Sequence, residues 1–235
     1  MEIITILIAS AIIIIILAPI LRFSKNNVMK IKQIGEDKEL NKITNLLPEN
    51  EQICREILKM LNNENVKIKQ SSENSQASFY IVATNSILIA NIKNTFTRIQ
   101  TIAHECIHST QDKRLLWFNF IFSNIYLFYF AIITILTIVN VITAPNIYAI
   151  ILVMMSIMLY FVRSYIETDA MTRARFLARD YLENKTDLIK QSDIDLIIEN
   201  YDKINDIGIK IYNYKLLFDY LTKIMIYCII AAIKI

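Results

Sequence analysis

Histidine and glycine are scarce in this chain, which has two of each among 235 residues, with three prolines and three cysteines. So few turn formers exclude a fold built on many tight turns. They predict long helices and a sheet of only a few short strands. Cys54, Cys106 and Cys228 lie far apart with no CxxC spacing, which excludes a disulfide framework and leaves three buried, inert thiols in a reducing compartment. A net charge of +3, with lysines scattered and no aromatic interleaving, excludes nucleic acid as a partner. What the chain has in abundance is apolar sequence: 54% of its residues are hydrophobic, much of that in long runs, which places it in the membrane class.

The first run, Ile3 to about Leu21, is long enough to cross a bilayer once. No basic n-region precedes it and it exceeds a signal-peptide h-region, so residues 1–22 read as an uncleaved anchor. A second apolar region, residues 115–162, is broken only near Asn140 to Asn146, where Pro145 marks a turn; it reads as a transmembrane hairpin with arms Leu115–Val139 and Ile147–Val162, the second arm short. In the last segment, 216–235, Asp219 and Lys223 precede ten apolar residues, which suits either a membrane-associated helix or a fourth span with those two charges paired at i,i+4. Arg22, Lys25, Lys30 and Lys32 follow the first run, Lys113 and Arg114 precede the hairpin and Arg163 follows it. Met1, Glu2 and the hairpin turn carry no basic charge. That bias predicts a multi-pass cell-membrane protein whose two remaining segments, 23–114 and 163–215, face the cytoplasm.

Within 23–114 the pattern changes midway. From Pro48 to about Leu61, Ile53, Ile57, Leu58 and Leu61 fall on one helical face. Val66–Lys69, Phe79–Val82 and Ser86–Ala90 then cluster β-formers, separated by the polar loop Ser71–Gln76 and the Thr84-Asn85 break, and predict a small sheet. A helix follows over about 94–112, capped by Asn94 or Thr95, with Ile99, Ile102, Ala103, Cys106 and Ile107 on its apolar side. The fold class expected is therefore α+β, a mostly helical integral membrane protein.

Both histidines lie on that last helix, as His104-Glu105-Cys106-Ile107-His108. This is HExxH. Residues i and i+4 stack on one helical face, so two imidazoles reach one cation while Glu105 flanks it to handle protons. Thr101 and Gln111 fall on the same face, within about a third of the circumference, whereas Cys106 points elsewhere. A catalytic zinc site needs a third protein ligand and an open position, and with no third histidine that ligand is a carboxylate or a thiolate. After the hairpin, Glu167 shares a face with Ala170, Met171 and Ala174, two of them small enough for close helix approach. Asp169 lies nearly opposite, where it pairs at i,i+4 with Arg173 or supports the site or substrate. Glu167 is the better ligand.

At these residues the chain resembles the neutral zinc metallopeptidases of the membrane, YugP type, which carry HE-x-x-H-x-x-Q and a later E-x-D-A-x-x-R-A. Here these read His104-Glu105-Cys106-Ile107-His108-Ser109-Thr110-Gln111 and Glu167-Thr168-Asp169-Ala170-Met171-Thr172-Arg173-Ala174, with the hairpin between. The chain departs from the pattern at Ile107, where glycine is usual, and at Met171, where serine is usual. The layout is also similar to that of the wider HtpX-like membrane gluzincins, whose glutamate after the hairpin is the third zinc ligand. The resemblance implies a gluzincin-like catalytic core with the hairpin inserted before the third-ligand helix. It implies the same assignment of Glu167. It also implies that Ser86, Ile87, Leu88, Ile89 and Ala90 form an edge strand that pairs with extended substrate.

The activity expected is hydrolysis of peptide bonds at the cytoplasmic membrane face. One Zn²⁺ is held by His104, His108 and Glu167, with Glu105 as general base. Substrates would be membrane proteins or unfolded segments. Gln111, Asp169 and Arg173 are candidates to steady the ligands or touch substrate, and Arg173, Tyr165 or Tyr181 could stabilise the oxyanion. The alternative is a non-hydrolytic zinc-containing membrane protein that binds extended peptides or partner helices. The retained Glu105 favours the enzyme, because a purely structural site is usually closed by four protein ligands.

Overall fold

A computed structural model describes residues 2–70, 77–90 and 95–234 of the chain. It is mostly helical, with one three-stranded sheet. The helices are α1 (Glu2–Ile20), α2 (Lys25–Gly35), α3 (Lys38–Thr44), α4 (Asn50–Met60), α5 (Arg98–Thr110), α6 (Lys113–Ile138), α7 (Pro145–Glu183) and α8 (Gln191–Lys234). The strands are β1 (Lys67–Gln70), β2 (Phe79–Ile81) and β3 (Ser86–Ile89), with a 3₁₀ turn at Val82–Thr84. The expected loop Ser71–Gln76 and Asn94, one of the two expected caps of α5, lie outside the described residues.

Scarcity of glycine shows directly in the helix ends. Three helices stop in the motif where the second residue past the cap bonds back five positions, and each needs a left-handed residue just before that donor. Asparagine or arginine supplies it: Asn62 after α4 (φ 52°), Asn140 after α6 (φ 59°) and Arg22 after α1 (φ 54°). The closing bonds are Asn63 N–H to Leu58 C=O, Val141 N–H to Leu136 C=O and Phe23 N–H to Ala18 C=O, at 2.8–2.9 Å.

The chain divides into two compact units. The first comprises residues 1–24, 118–165 and 210–235, built from α1, most of α6, the first part of α7 and the last part of α8. Among the described residues four helices, α1, α6, α7 and α8, are long and apolar enough to cross a membrane, so this is a membrane protein by composition and length. Tyr126, Leu152, Leu159, Tyr220, Ile224, Tyr227 and Ala231 form its core. Tyr227 donates to Pro145 C=O at 3.2 Å, Tyr214 to Ile14 C=O at 3.4 Å and Ser156 to Tyr126 Oη at 3.1 Å. The C-terminal segment is no separate short helix: it continues α8, with Lys223 and Asp219 paired at 2.5 Å inside an otherwise apolar stretch. The second hairpin arm takes in turn residues, because α7 starts at Pro145, and it contains a stretch long and apolar enough to cross.

The second unit, residues 25–117 and 166–209, has its own core of Ile53, Ile57, Ile87, Phe96, Ile99, Ile102, Ala103, Ile107, Ala170, Ala174 and Tyr201. Ala170 and Ala174 are fully buried, so α7 presents small side chains to this core. The first turn of α5 is held by Arg98, 2% exposed, whose guanidinium donates to the carbonyls of Thr44, Leu47 and Pro48 and to Asn50 Oδ1 at 2.7–3.1 Å. Those carbonyls close α3 and the turn into α4, so one cation replaces the donors a longer helix would supply. Thr97, not Thr95, is the N-cap residue, and it makes no side-chain cap bond.

The sheet order is β1-β3-β2, with β3 parallel to β1 and antiparallel to β2. Ser86–Ala90 is therefore not an edge, and the expected pairing of substrate with it is ruled out: both sides of β3 are already hydrogen-bonded. The burial of β3, with Ser86, Ile87 and Ile89 all below 4% exposure, fits a central strand.

Candidate metal centre

Helix α5 and the start of α7's share of the second unit bring the candidate ligands together. His104 Nε2 and His108 Nε2 face each other at 3.0 Å, and Glu167 Oε2 lies 3.5 Å from the first and 3.8 Å from the second. All three donor atoms lie within 4.8 Å of one another, a group able to hold a metal ion. Ligands about 2.0–2.1 Å from a tetrahedral centre stand roughly 3.3 Å apart, and the three separations bracket that edge. The donor set thus fits a small tetrahedral cation. The side chains keep 20%, 11% and 20% exposure, so the site is open on one side.

Gln111 fixes the tautomer of His108. Its amide nitrogen donates to Ile166 C=O and to Asp169 Oδ2, both at 2.8 Å, which turns its oxygen toward His108 Nδ1, also at 2.8 Å. An oxygen there accepts, so Nδ1 carries the proton and Nε2 presents its lone pair to Glu167 and His104. Asp169 thereby orients a ligand at one remove, and it also pairs with Arg173 at 3.5 Å.

Burial pulls the His108 imidazole below the usual histidine value, and repulsion from His104 adds to this against Glu167, Gln111 and Asp169. Burial pulls His104 down too, but the Glu167 hydrogen bond and the charges of Glu105 and Glu167 outweigh it, leaving it above the usual value. Glu105 is 6% exposed and is not among the three grouped donors. Burial pushes it up to about 7, against the pull of His104 and of the Tyr80 N–H, with the Glu167 charge adding to the rise. A carboxyl that exchanges a proton near neutrality is suited to general acid and base work.

Tyr80 is the residue the sequence did not reveal: its backbone N–H donates to Glu105 Oε2 at 2.7 Å. Residues of an antiparallel strand alternate in the side their backbone faces, so this amide points outward from β2, an edge strand. No side-chain signal could have marked a backbone donor. The far end of α5 is tied by Asn63, which donates to Ser109 C=O and Oγ at 3.2 and 2.8 Å.

The remaining candidates fall elsewhere. Tyr181 is buried and donates to Glu56 Oε2 at 2.8 Å, beside the Lys185–Glu56 ion pair at 2.9 Å. That bond uses the hydroxyl in the core, which removes Tyr181 as an oxyanion donor. Tyr165 is 63% exposed and belongs to the first unit. Arg173 stays about half exposed beside Asp169. Cys106 packs its Sγ 3.7 Å from Cys54 Sγ, buried on the opposite side of α5 from the ligands, as an inert thiol. No protein-family model, curated protein or solved structure matches this chain.

Proposed function

We propose that this chain is a membrane-integrated zinc metalloprotease, gluzincin-like in its ligand set, that hydrolyses peptide bonds at the cytoplasmic face of the membrane. One observation carries the reading: two imidazoles and one carboxylate converge at separations that suit a tetrahedral cation, and a second carboxyl, the buried Glu105, lies beside them on the same helix as the imidazoles. A site closed for structure has no use for that group. His₂Glu ligation favours zinc among divalent ions. Zinc, when bound, supplies Lewis acidity that polarises a carbonyl and acidifies water.

The chain's own residues do the rest. Gln111 and Asp169 hold His108 with Nε2 inward. Glu105 takes a proton from the attacking water and returns it to the leaving amine. The outward edge of β2, close to Glu105 through the Tyr80 amide, is the place where an extended peptide adds as a further strand, with sequence-tolerant backbone bonds. The basic residues near the span ends support a cytoplasmic orientation for this machinery. Extended segments of membrane proteins or unfolded chains are the substrates this reading favours, and Arg173, half exposed beside Asp169, is the candidate cation for an oxyanion.

The test compares zinc-loaded wild type with Glu105→Gln in detergent on a flexible casein-like substrate. Expected are equal zinc content, cleavage by wild type that a chelator abolishes, and none by the variant. A zinc-loaded wild type that fails to cleave, with chelator making no difference, overturns the proposal in favour of a non-hydrolytic peptide-binding protein.

A further inference from the structure

Helix α2 belongs wholly to the second unit, and only residues 21–24 separate it from the end of α1 at Ile20. Helix α1 is long and apolar enough to cross a membrane. A chain covers at most about 3.5 Å per residue, so the first turn of α2 starts within about 17 Å of the end of that span. Taking 100° per residue, Asn27, Ile31, Ile34 and Gly35 share a sector of about 100°. These are the half-buried residues of α2, and Ile34 packs on the core of the unit.

Every other residue of α2 is exposed. Among them are three lysines, Lys25, Lys30 and Lys32, and two bulky apolar side chains, Val28 and Met29, at 44% and 47% exposure. Val28 and Met29 stand about 100° apart around the axis, with Lys25 and Lys32 between them. A helix that met only water on this side would carry polar residues throughout. Apolar groups interleaved with lysines suit a bilayer surface, where lysine stems lie along apolar chains and the ammonium groups reach the phosphates. The charge is of one sign as well. No acidic residue occurs between Glu2 and Glu36. Glu36 stands 3.8 Å from Lys32, and among the described residues no carboxylate pairs with Lys25 or Lys30.

We propose that the exposed arc of α2 lies on the bilayer that α1 crosses and binds anionic phospholipid headgroups there. Val28 and Met29 enter the acyl boundary, Lys25 and Lys32 reach phosphates from between them, and Lys30 adds attraction from the rim. Each lysine at an anionic surface is worth about fivefold in association, and salt screens it. Through Ile34 the same helix seats the second unit on the lipid surface. The inference rests on α1 as a span and is independent of metal and hydrolysis.

The test uses the full chain in nanodiscs, with Val28→Trp as the probe and the single native tryptophan removed by Trp117→Phe. Lipid brominated next to the headgroup, either phosphatidylglycerol or phosphatidylcholine at equal mole fraction, quenches the indole on contact. Phosphatidylglycerol should quench at least about twofold more, and about 0.5 M salt should narrow the difference. Lys25→Gln, Lys30→Gln and Lys32→Gln together should remove it. Wild type supplies an arm without substitutions: the amides of residues 25–35 exchange with deuterium more slowly in phosphatidylglycerol nanodiscs than in phosphatidylcholine ones. Equal quenching by both lipids, or a preference that survives loss of the three lysines, overturns the proposal. Absence of quenching by either lipid, with exchange indifferent to lipid, also overturns it and gives the arc to an acidic protein partner.

Discussion

Replacing Gln111 by leucine separates the orientation of a ligand from its presence. The side chain makes three contacts at 2.8 Å: it accepts from His108 Nδ1 and donates to Ile166 C=O and Asp169 Oδ2. Leucine removes all three without touching a metal donor. Ile166 C=O retains its own helical bond from four residues on, and Asp169 retains Arg173, so no buried group is orphaned at either. The metal-free protein should lose only about 1 kcal/mol of stability. Metal affinity should fall much further, because His108 loses the acceptor that selects its tautomer and ring angle. Outer contacts of this kind are worth about 10–100-fold, or roughly 1.4–2.7 kcal/mol. Zinc titration of the stripped protein against a competing chelator measures the affinity, and thermal unfolding measures the stability. A dissociation constant within about twofold of wild type, with His108 still required, would refute the role given to Gln111.

Three further outcomes follow from the site and its supports. Glu167→Ala should abolish stoichiometric zinc while Asp169→Ala only weakens it; metal analysis showing loss in Asp169→Ala alone reverses the assignment. In metal-stripped protein Glu105 is raised from 4.5 to about 7, so the folded state binds that proton more tightly than the unfolded chain. Its contribution is complete below pH 4.5, is lost as pH rises to about 7, and amounts to at most about 3 kcal/mol. Denaturant midpoints should therefore fall over that window in wild type and stay flatter in Glu105→Gln; parallel curves contradict the buried proton. Arg98→Met leaves the acceptors on Thr44, Leu47, Pro48 and Asn50 without their donor, and should cost at least about 2 kcal/mol, since each buried acceptor left unsatisfied costs about 1–3 kcal/mol; urea unfolding that shifts by less than about 1 kcal/mol refutes the clamp.

Local pattern made the elements legible, and long-range pairing hid their arrangement. The three strands and α4 announce themselves through period and β-branching, because those signals are local. Strand order is not local. The parallel pairing of β1 with β3, Ile68 opposite Ile87, joins segments separated by β2, and chain order alone places β3 beside α5 at an edge. The continuous Ile87-Leu88-Ile89 run was the available clue, since strands covered on both faces lose alternation. The last span was masked in the same way: Asp219 and Lys223 cut the apolar run, although paired to each other they leave α8 able to cross. HExxH and Glu167 were readable because a metal demands residue types at fixed helical offsets. Tyr181 was not, because a tyrosine near a membrane edge and one donating into a core have the same local sequence.

Arg22 makes one residue answer to two demands. Its left-handed backbone ends α1, a task at which glycine would be far more comfortable, and in the proposed orientation its charge is also one of those that hold this end of the first helix on the cytoplasmic side. On that proposal helix punctuation and topogenic signal share a single codon, so a substitution that relaxed the turn would also blur the direction in which the chain threads itself.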